Sequence, residues 1–308
     1  MKKFLLKLLL LVAPFLLIIL ISFIIPAGNQ AQNGLLFSQI EKNQLLMKTN
    51  GPRIIFIGGS NLSFGLDCQM IKNSLRINPI NTSIHAAIGL KYMLRNSLRY
   101  VRKGDIIIIA PEYQQFYGDQ ADGKMELLSM IIDVSPDTKR LVDLAQYFKS
   151  TKYIPEYSLK KLDPLRYFKE VDTVVGIYHR KSFNVYGDAY RHWKLPKTNI
   201  STLHVSGDLN NEIFAELKDF RKNIELKKAK LFITYPCYQD ISFNEAIIKI
   251  KAVERKLKDN RFSLLGTPER YKFTDSLLFN TPYHLTRQGV TLRTQLLIDD
   301  IKHIINRN

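Results

Sequence analysis

Two short stretches at opposite ends of the chain carry residue types suited to acyl chemistry. The first is Gly58-Gly59-Ser60-Asn61, directly after the apolar run Ile54-Ile55-Phe56-Ile57. A buried-type strand, a Gly-rich turn and a following apolar segment with helical spacing would hold the Ser60 hydroxyl at the carboxyl end of a strand, where open α/β sheets bind ligands. The helix start behind it offers backbone N–H groups to an anion. Ser and Asn are also favoured N-caps, so this stretch taken alone reads first as an ordinary helix start. The second stretch is Phe279-Asn280-Thr281-Pro282-Tyr283-His284-Leu285-Thr286, which ends a long loop just before the last apolar-periodic segment. An imidazole presented there could act as general base, and a neutral serine needs such a base to become a nucleophile. The other histidines, His85, His179, His192, His204 and His303, stand in no metal-ligand spacing, and no cofactor motif is present.

The elements that must position Ser60 and His284 follow from the periodicity. Asp67–Leu75 reads as a helix, and Ile77–Ile84 as a weak strand between Pro/Asn turns. Ala86–Arg102 has amphipathic helical spacing ended by Gly104, and Asp105–Ala110, with four consecutive isoleucines, is the clearest buried strand. From Gly118 to Ser206 the period weakens and Tyr alternates with Lys and Arg. This section reads as an inserted, lid-like unit with possible helices over 138–150 and 158–171. Regular alternation resumes with a helix over 209–226, a strand over 229–236, a helix over 243–258 and a strand over 262–265. A loop over 266–283 then leads to a final helix over 286–305, capped by Thr286. Strands and helices alternating through both halves predict a doubly wound α/β fold with a mostly parallel sheet.

Composition sets the class and the compartment. The 308 residues are 45% apolar and 24% charged, enough for a full core. A formal charge of +17 favours anionic partners. Lys2, Lys3 and Lys7 precede an apolar run from Leu8 to Ile25, interrupted by Pro14 and Ser22. That length nearly spans a bilayer, and the lysines predict a cytoplasmic N-terminus with the globular part outside. A cleaved signal peptide is the rival reading, with small residues near Ala27 and Ala31. The expected organisation is an anchor over 1–27, a lead-in over 28–50, with a polar linker up to Gly34 and a helix or extended stretch over 35–47, and an α/β domain over 51–308. An extracytoplasmic location disfavours nucleic acid and directs the charge toward anionic lipids or envelope polymers. Cys68 and Cys237 are as compatible with two buried thiols as with one disulfide.

Together, the Ser60 and His284 stretches resemble the serine and histidine blocks of the SGNH/GDSL hydrolase superfamily, over roughly residues 53–305 outside the inserted section. More particularly, the chain is similar to membrane-anchored relatives that modify bacterial envelope polymers by acyl transfer or deacylation. The resemblance implies a three-layer α/β/α fold, Ser60 as nucleophile and His284 as base, acting on an acylated polysaccharide or other envelope polymer. It also implies a possible acyl-exporting membrane partner. Two departures stand out. The family's acid, three residues before the histidine, is Thr281 here, with Asn280 beside it; Asp275 and Glu112 are the substitute carboxylates. The Gly of the second block corresponds to Gly89, whereas Pro111-Glu112-Tyr113-Gln114 replaces the third block, leaving Gln114 as the remaining oxyanion donor. The departures motivate a second reading, a non-catalytic envelope binding or accessory protein on the same fold.

Overall fold

In the computed structural model, which describes residues 1–168 and 176–305, four strands run side by side through the core: β1 (Arg53–Gly58), β2 (Asn78–Asn81), β3 (Ile106–Ala110) and β4 (Lys230–Thr234). Three shorter ones follow, β5 (Tyr238–Gln239), β6 (Leu264–Leu265) and β7 (Lys272–Phe273). The main sheet has the order β2-β1-β3-β4-β6 and every pairing in it is parallel; β5 and β7 form a separate parallel pair. The fold is therefore α/β with a mostly parallel, doubly wound sheet.

The near-continuous apolar runs of β1 and β3 follow from burial on both faces. Ile54, Phe56 and Ile108 point to one side, packing with Ile71 of the helix Cys68–Leu75 and with Leu297, Ile298 and Ile301 of the last helix. Ile55, Ile57, Ile107 and Ile109 point to the other, under the helices Leu90–Leu98, Asn211–Leu226 and Ile247–Asp259. At the amino ends, Arg53 forks onto Asp105, with Nε to Oδ1 at 2.8 Å, which ties the start of β1 to the turn before β3.

Several elements differ from the sequence expectation for local reasons. The helix expected over 86–102 begins only at Leu90, after a short turn Ala86–Ile88, because Gly89 adopts a φ of +93°. A Cβ there would lie 2.6 Å from the Gly123 nitrogen, so both the conformation and the close approach require glycine. The stretch 138–150 divides into a 3-10 segment, Pro136–Leu141, and a helix, Leu144–Ser150, which Asp143 and Gln146 start with a capping box. In the expected helix 158–171, Ile154–Leu162 is helical and stops before Asp163-Pro164, a short turn Leu165–Phe168 follows, and the remainder lies outside the described residues. The helix expected over 243–258 is two, Asp240–Glu245 and Ile247–Asp259. The loop over 266–283 contains β7 and two 3-10 turns. In the lead-in, Leu35–Ser38 and Gln39–Lys48 are helical and bury Phe37 and Leu46. Both cysteines are free and buried.

At the N-terminus, Lys2–Ile24 is one helix, long and apolar enough to cross a membrane. Most of its side chains face outward, and Ser22 near its end is fully buried.

Candidate active site

The strand order reverses between β1 and β3, since β2 lies beyond β1 on one side and β4 and β6 continue on the other. Doubly wound sheets open a crevice at the carboxyl ends of the strands at such a point. Here it is a cleft of about 580 Å³, lined among others by Ser60 after β1, His85 and Ala86 after β2, Glu112 after β3, and His284.

Ser60 begins a single helical turn, Ser60–Ser63, and is 9% exposed. The turn is tight because it is clamped from several sides. Asn61 Nδ2 donates to the Ala110 carbonyl at 3.0 Å, and Arg293 of the last helix, fully buried, donates through Nη2 to Asn61 Oδ1 at 2.9 Å and through Nη1 to the Asn61 carbonyl. Gly59 must be small: a Cβ on it would stand 2.6 Å from Glu112 Oε1 and 2.9 Å from the Ala86 Cβ.

His284 is buried and stacks on Phe64, with ring centroids 4.3 Å apart and 17° between planes. Its Nδ1 lies 2.8 Å from Asn280 Oδ1, while Asn280 Nδ2 donates to the Tyr178 hydroxyl at 2.7 Å. Asn280 presents its carbonyl oxygen, which can only accept, so Nδ1 of His284 carries the proton. Its Nε2 therefore holds a lone pair, the form a general base needs. Burial, with His192 and His85 nearby, pushes the imidazole down to about 3, so it is neutral across the physiological range.

Ser60 and His284 line the same cleft, but the Ser60 hydroxyl donates to Glu112 Oε1 at 3.2 Å rather than to the imidazole. Glu112 Oε1 also accepts the Asn61 N–H at 3.1 Å, and Oε2 accepts from Gln114 Nε2 at 3.2 Å. Burial raises the Glu112 carboxyl above its usual range, against these hydrogen bonds and the His85 imidazole. Glu112 thus stands beside the hydroxyl and not behind the imidazole, the position of a triad acid. Asp275 is not there either; its Oδ1 accepts from Gln239 Nε2 at 2.8 Å. Asn280 alone among the candidate partners bonds Nδ1.

The two expected oxyanion donors are differently engaged. The Gly89 N–H closes the turn onto the Ala86 carbonyl at 3.0 Å, and Gly89 is not among the residues lining the cleft. The Gln114 side chain lines the cleft with its amide on Glu112. Ala86, which does line the cleft, starts the turn Ala86–Ile88, so its N–H, like that of Ser60, is a first-turn donor with no intrahelical acceptor.

Residues that sequence reasoning passed over complete the picture. His85 lines the cleft, and its Nδ1 accepts the Ala87 N–H at 3.2 Å. Tyr178 brings the inserted section to Asn280, Phe64 supports the imidazole face, and Arg293 braces the serine turn. Only Asn61, adjoining Ser60, carried a local signal; Arg293, Phe64 and Tyr178 reach the site through packing.

No family model matches the chain, and no curated protein matches it. Similar solved structures include the YxiM protein of Bacillus subtilis, at 13% identity and a TM-score of 0.36, over 83% of this chain and 57% of that one. An acetyl xylan esterase, Est2A, from the rumen bacterium Butyrivibrio proteoclasticus is similar at 13% identity and a TM-score of 0.30, over 84% of this chain and 66% of its own. The chain spans less than two thirds of either protein, and neither likeness is close enough to carry a function across.

Proposed function

We propose that the chain is a membrane-anchored serine esterase or O-acyltransferase of SGNH type, held by its N-terminal helix, with the globular part outside the cytoplasm and an acylated envelope polymer as substrate. The observation that carries the reading is the pairing in one cleft of Ser60 with a neutral imidazole whose Nδ1–H is held by Asn280 and whose Nε2 is free. Ser60 Oγ attacks the acyl carbon as His284 Nε2 takes the hydroxyl proton. The N–H groups of Ser60 and Ala86 receive the oxyanion, and His284 returns the proton to the leaving oxygen. Water or an acceptor hydroxyl then attacks the acyl-serine by the reverse sequence, which gives hydrolysis or transfer. For the first step the Ser60 hydroxyl must leave Glu112 by rotating about χ1, since Oγ is bonded to the carboxylate at rest.

That resting bond, and an amide rather than a carboxylate behind His284, favour the second reading, an envelope protein that binds acylated polymer without turnover. One experiment separates the two. Full-length protein in detergent is treated with a serine-directed fluorophosphonate, and the adduct is located by peptide mass spectrometry. Labelling of Ser60 that is lost in His284→Ala, with the fold retained, is the expected outcome. A folded wild-type protein that stays unlabelled refutes catalysis by this serine.

A further inference from the structure

The apolar end of the N-terminal helix continues onto the globular domain. The hydroxyls of Ser22 and Ser158 lie 2.8 Å apart, and the Phe23 ring packs on Tyr157 with centroids 5.7 Å apart, so the last helical turn docks on the helix Ile154–Leu162. Tyr167 adds a hydrogen bond to the Pro26 carbonyl at 2.9 Å. Beside this joint lies a groove of about 380 Å³ whose walls include Phe23, Leu128, Ile131, Leu144, Phe148 and Ile154, with Lys139 among its polar lining residues.

Leu144 and Phe148 are the unusual members. They are four residues apart, hence on one face of the helix Leu144–Ser150, and they are 71% and 68% exposed while Gln146 and Ser150 are buried. Leu159, on the helix that receives Ser22, is 71% exposed as well. An outward apolar stripe with polar residues turned inward is the reverse of a water-facing helix, and a contiguous exposed apolar patch marks a surface that meets another apolar phase.

The geometry points to the bilayer as that phase: we propose that the face carrying Leu144 and Phe148 lies on the membrane, with lipid acyl chains entering the groove beside Phe23. This rests on the reading of Lys2–Ile24 as a membrane anchor. A helix of 23 residues is about 35 Å long and the hydrocarbon core about 30 Å thick, so Phe23 sits at the boundary between acyl chains and headgroups. A groove that shares Phe23 as a wall lies at the same depth, and Lys139 is then near the lipid phosphates. The short helix Met125–Ser129 connects this face to the active cleft, with Met125 lining the cleft and Leu128 the groove. The cleft accordingly opens next to the membrane surface, within reach of an ester carried there.

The test uses the full chain in phospholipid nanodiscs, with and without lipids brominated on their acyl chains. Three variants add a Trp to the native Trp193: Phe148→Trp and Leu144→Trp in the groove, and Phe15→Trp in the anchor. The expected result is loss of most of the added emission in all three when brominated lipid is present, with Trp193 emission unchanged in the parent protein. Quenching of Phe15→Trp alone refutes the inference and leaves the anchor standing. In that case acrylamide says what faces the groove: access means water, and shielding means protein, such as a second copy. No quenching at any of the three positions removes the anchor reading and the inference with it.

Discussion

Replacing Asn280 gives the most informative perturbation, because the tautomer of His284 depends on one acceptor at 2.8 Å. In Asn280→Ala a buried Nδ1–H loses its partner, a cost of about 1–3 kcal/mol. The ring is then free to carry its proton on Nε2, where it cannot accept one from Ser60. A wrong-tautomer defect in a serine triad reaches about 10⁴ in rate, which bounds the loss. Asn280→Asp works in the opposite direction. A carboxylate turns a neutral hydrogen bond into a charge-assisted one as the imidazolium forms, a difference of about 1–2 kcal/mol and therefore about 5- to 30-fold in rate. The Tyr178 hydroxyl, which accepts from Asn280 now, can donate to the new carboxylate. The same substitution raises the His284 imidazole from its value of about 3, moving the acid limb of the pH–rate profile to higher pH. The assay is kcat/KM for a nitrophenyl acyl ester with full-length protein in detergent, measured from acid to neutral pH, with melting temperatures as fold controls. If both variants fold and keep wild-type kcat/KM and wild-type pH dependence, Asn280 does not orient a catalytic base and the mechanism fails.

Four further outcomes follow from the same geometry. Glu112→Gln keeps an acceptor for Ser60 and Asn61 but removes the carboxylate that holds the attacking hydroxyl, so fluorophosphonate labelling of Ser60 should accelerate; a slower reaction would make the carboxylate itself part of the chemistry. Gly59→Ala puts a methyl 2.6 Å from Glu112 Oε1 and should lose labelling along with about 1–3 kcal/mol of stability in urea titration. Arg293→Met leaves the Asn61 carbonyl and side-chain oxygen without their buried donor and should cost about 2–4 kcal/mol, with little rescue in Arg293→Lys because an ammonium cannot reproduce the fork. His284 and His192, held down to about 3 and about 4 by burial against 6.5 in the unfolded chain, stay neutral in the fold while the unfolded chain takes up protons. Stability should therefore fall as pH drops below 6.5, by about 2 kcal/mol for each imidazole at pH 5, with no contribution from either above 6.5; urea midpoints across that range test it.

The sequence by itself determined the main strands and the parallel α/β sheet they form. Ile54–Ile57 and Ile106–Ile109 are apolar at every position because both faces of a central parallel strand are buried, so the strands and the alternation around them were legible from period and length alone. The serine turn and the loop histidine were legible for a similar reason, since Gly-Gly-Ser-Asn after a strand and a histidine just before a helix are local patterns. Tertiary structure decided the partners. Glu112 against Ser60 and Arg293 against Asn61 are contacts between residues 52 and 232 positions apart, created by how β1, β3 and the last helix stack. Asn280 against His284 lies only four positions away, yet it is the folded loop that turns Oδ1 toward Nδ1 and Nδ2 toward the Tyr178 hydroxyl of the inserted section. Gly89 shows the limit from the other side: its type and position suited an oxyanion donor, but its N–H direction is a backbone property, and the turn onto Ala86 removes it from the cleft. Residue type and spacing can nominate a catalytic group, whereas hydrogen-bond direction and burial, which set tautomer and charge, exist only once the chain is folded.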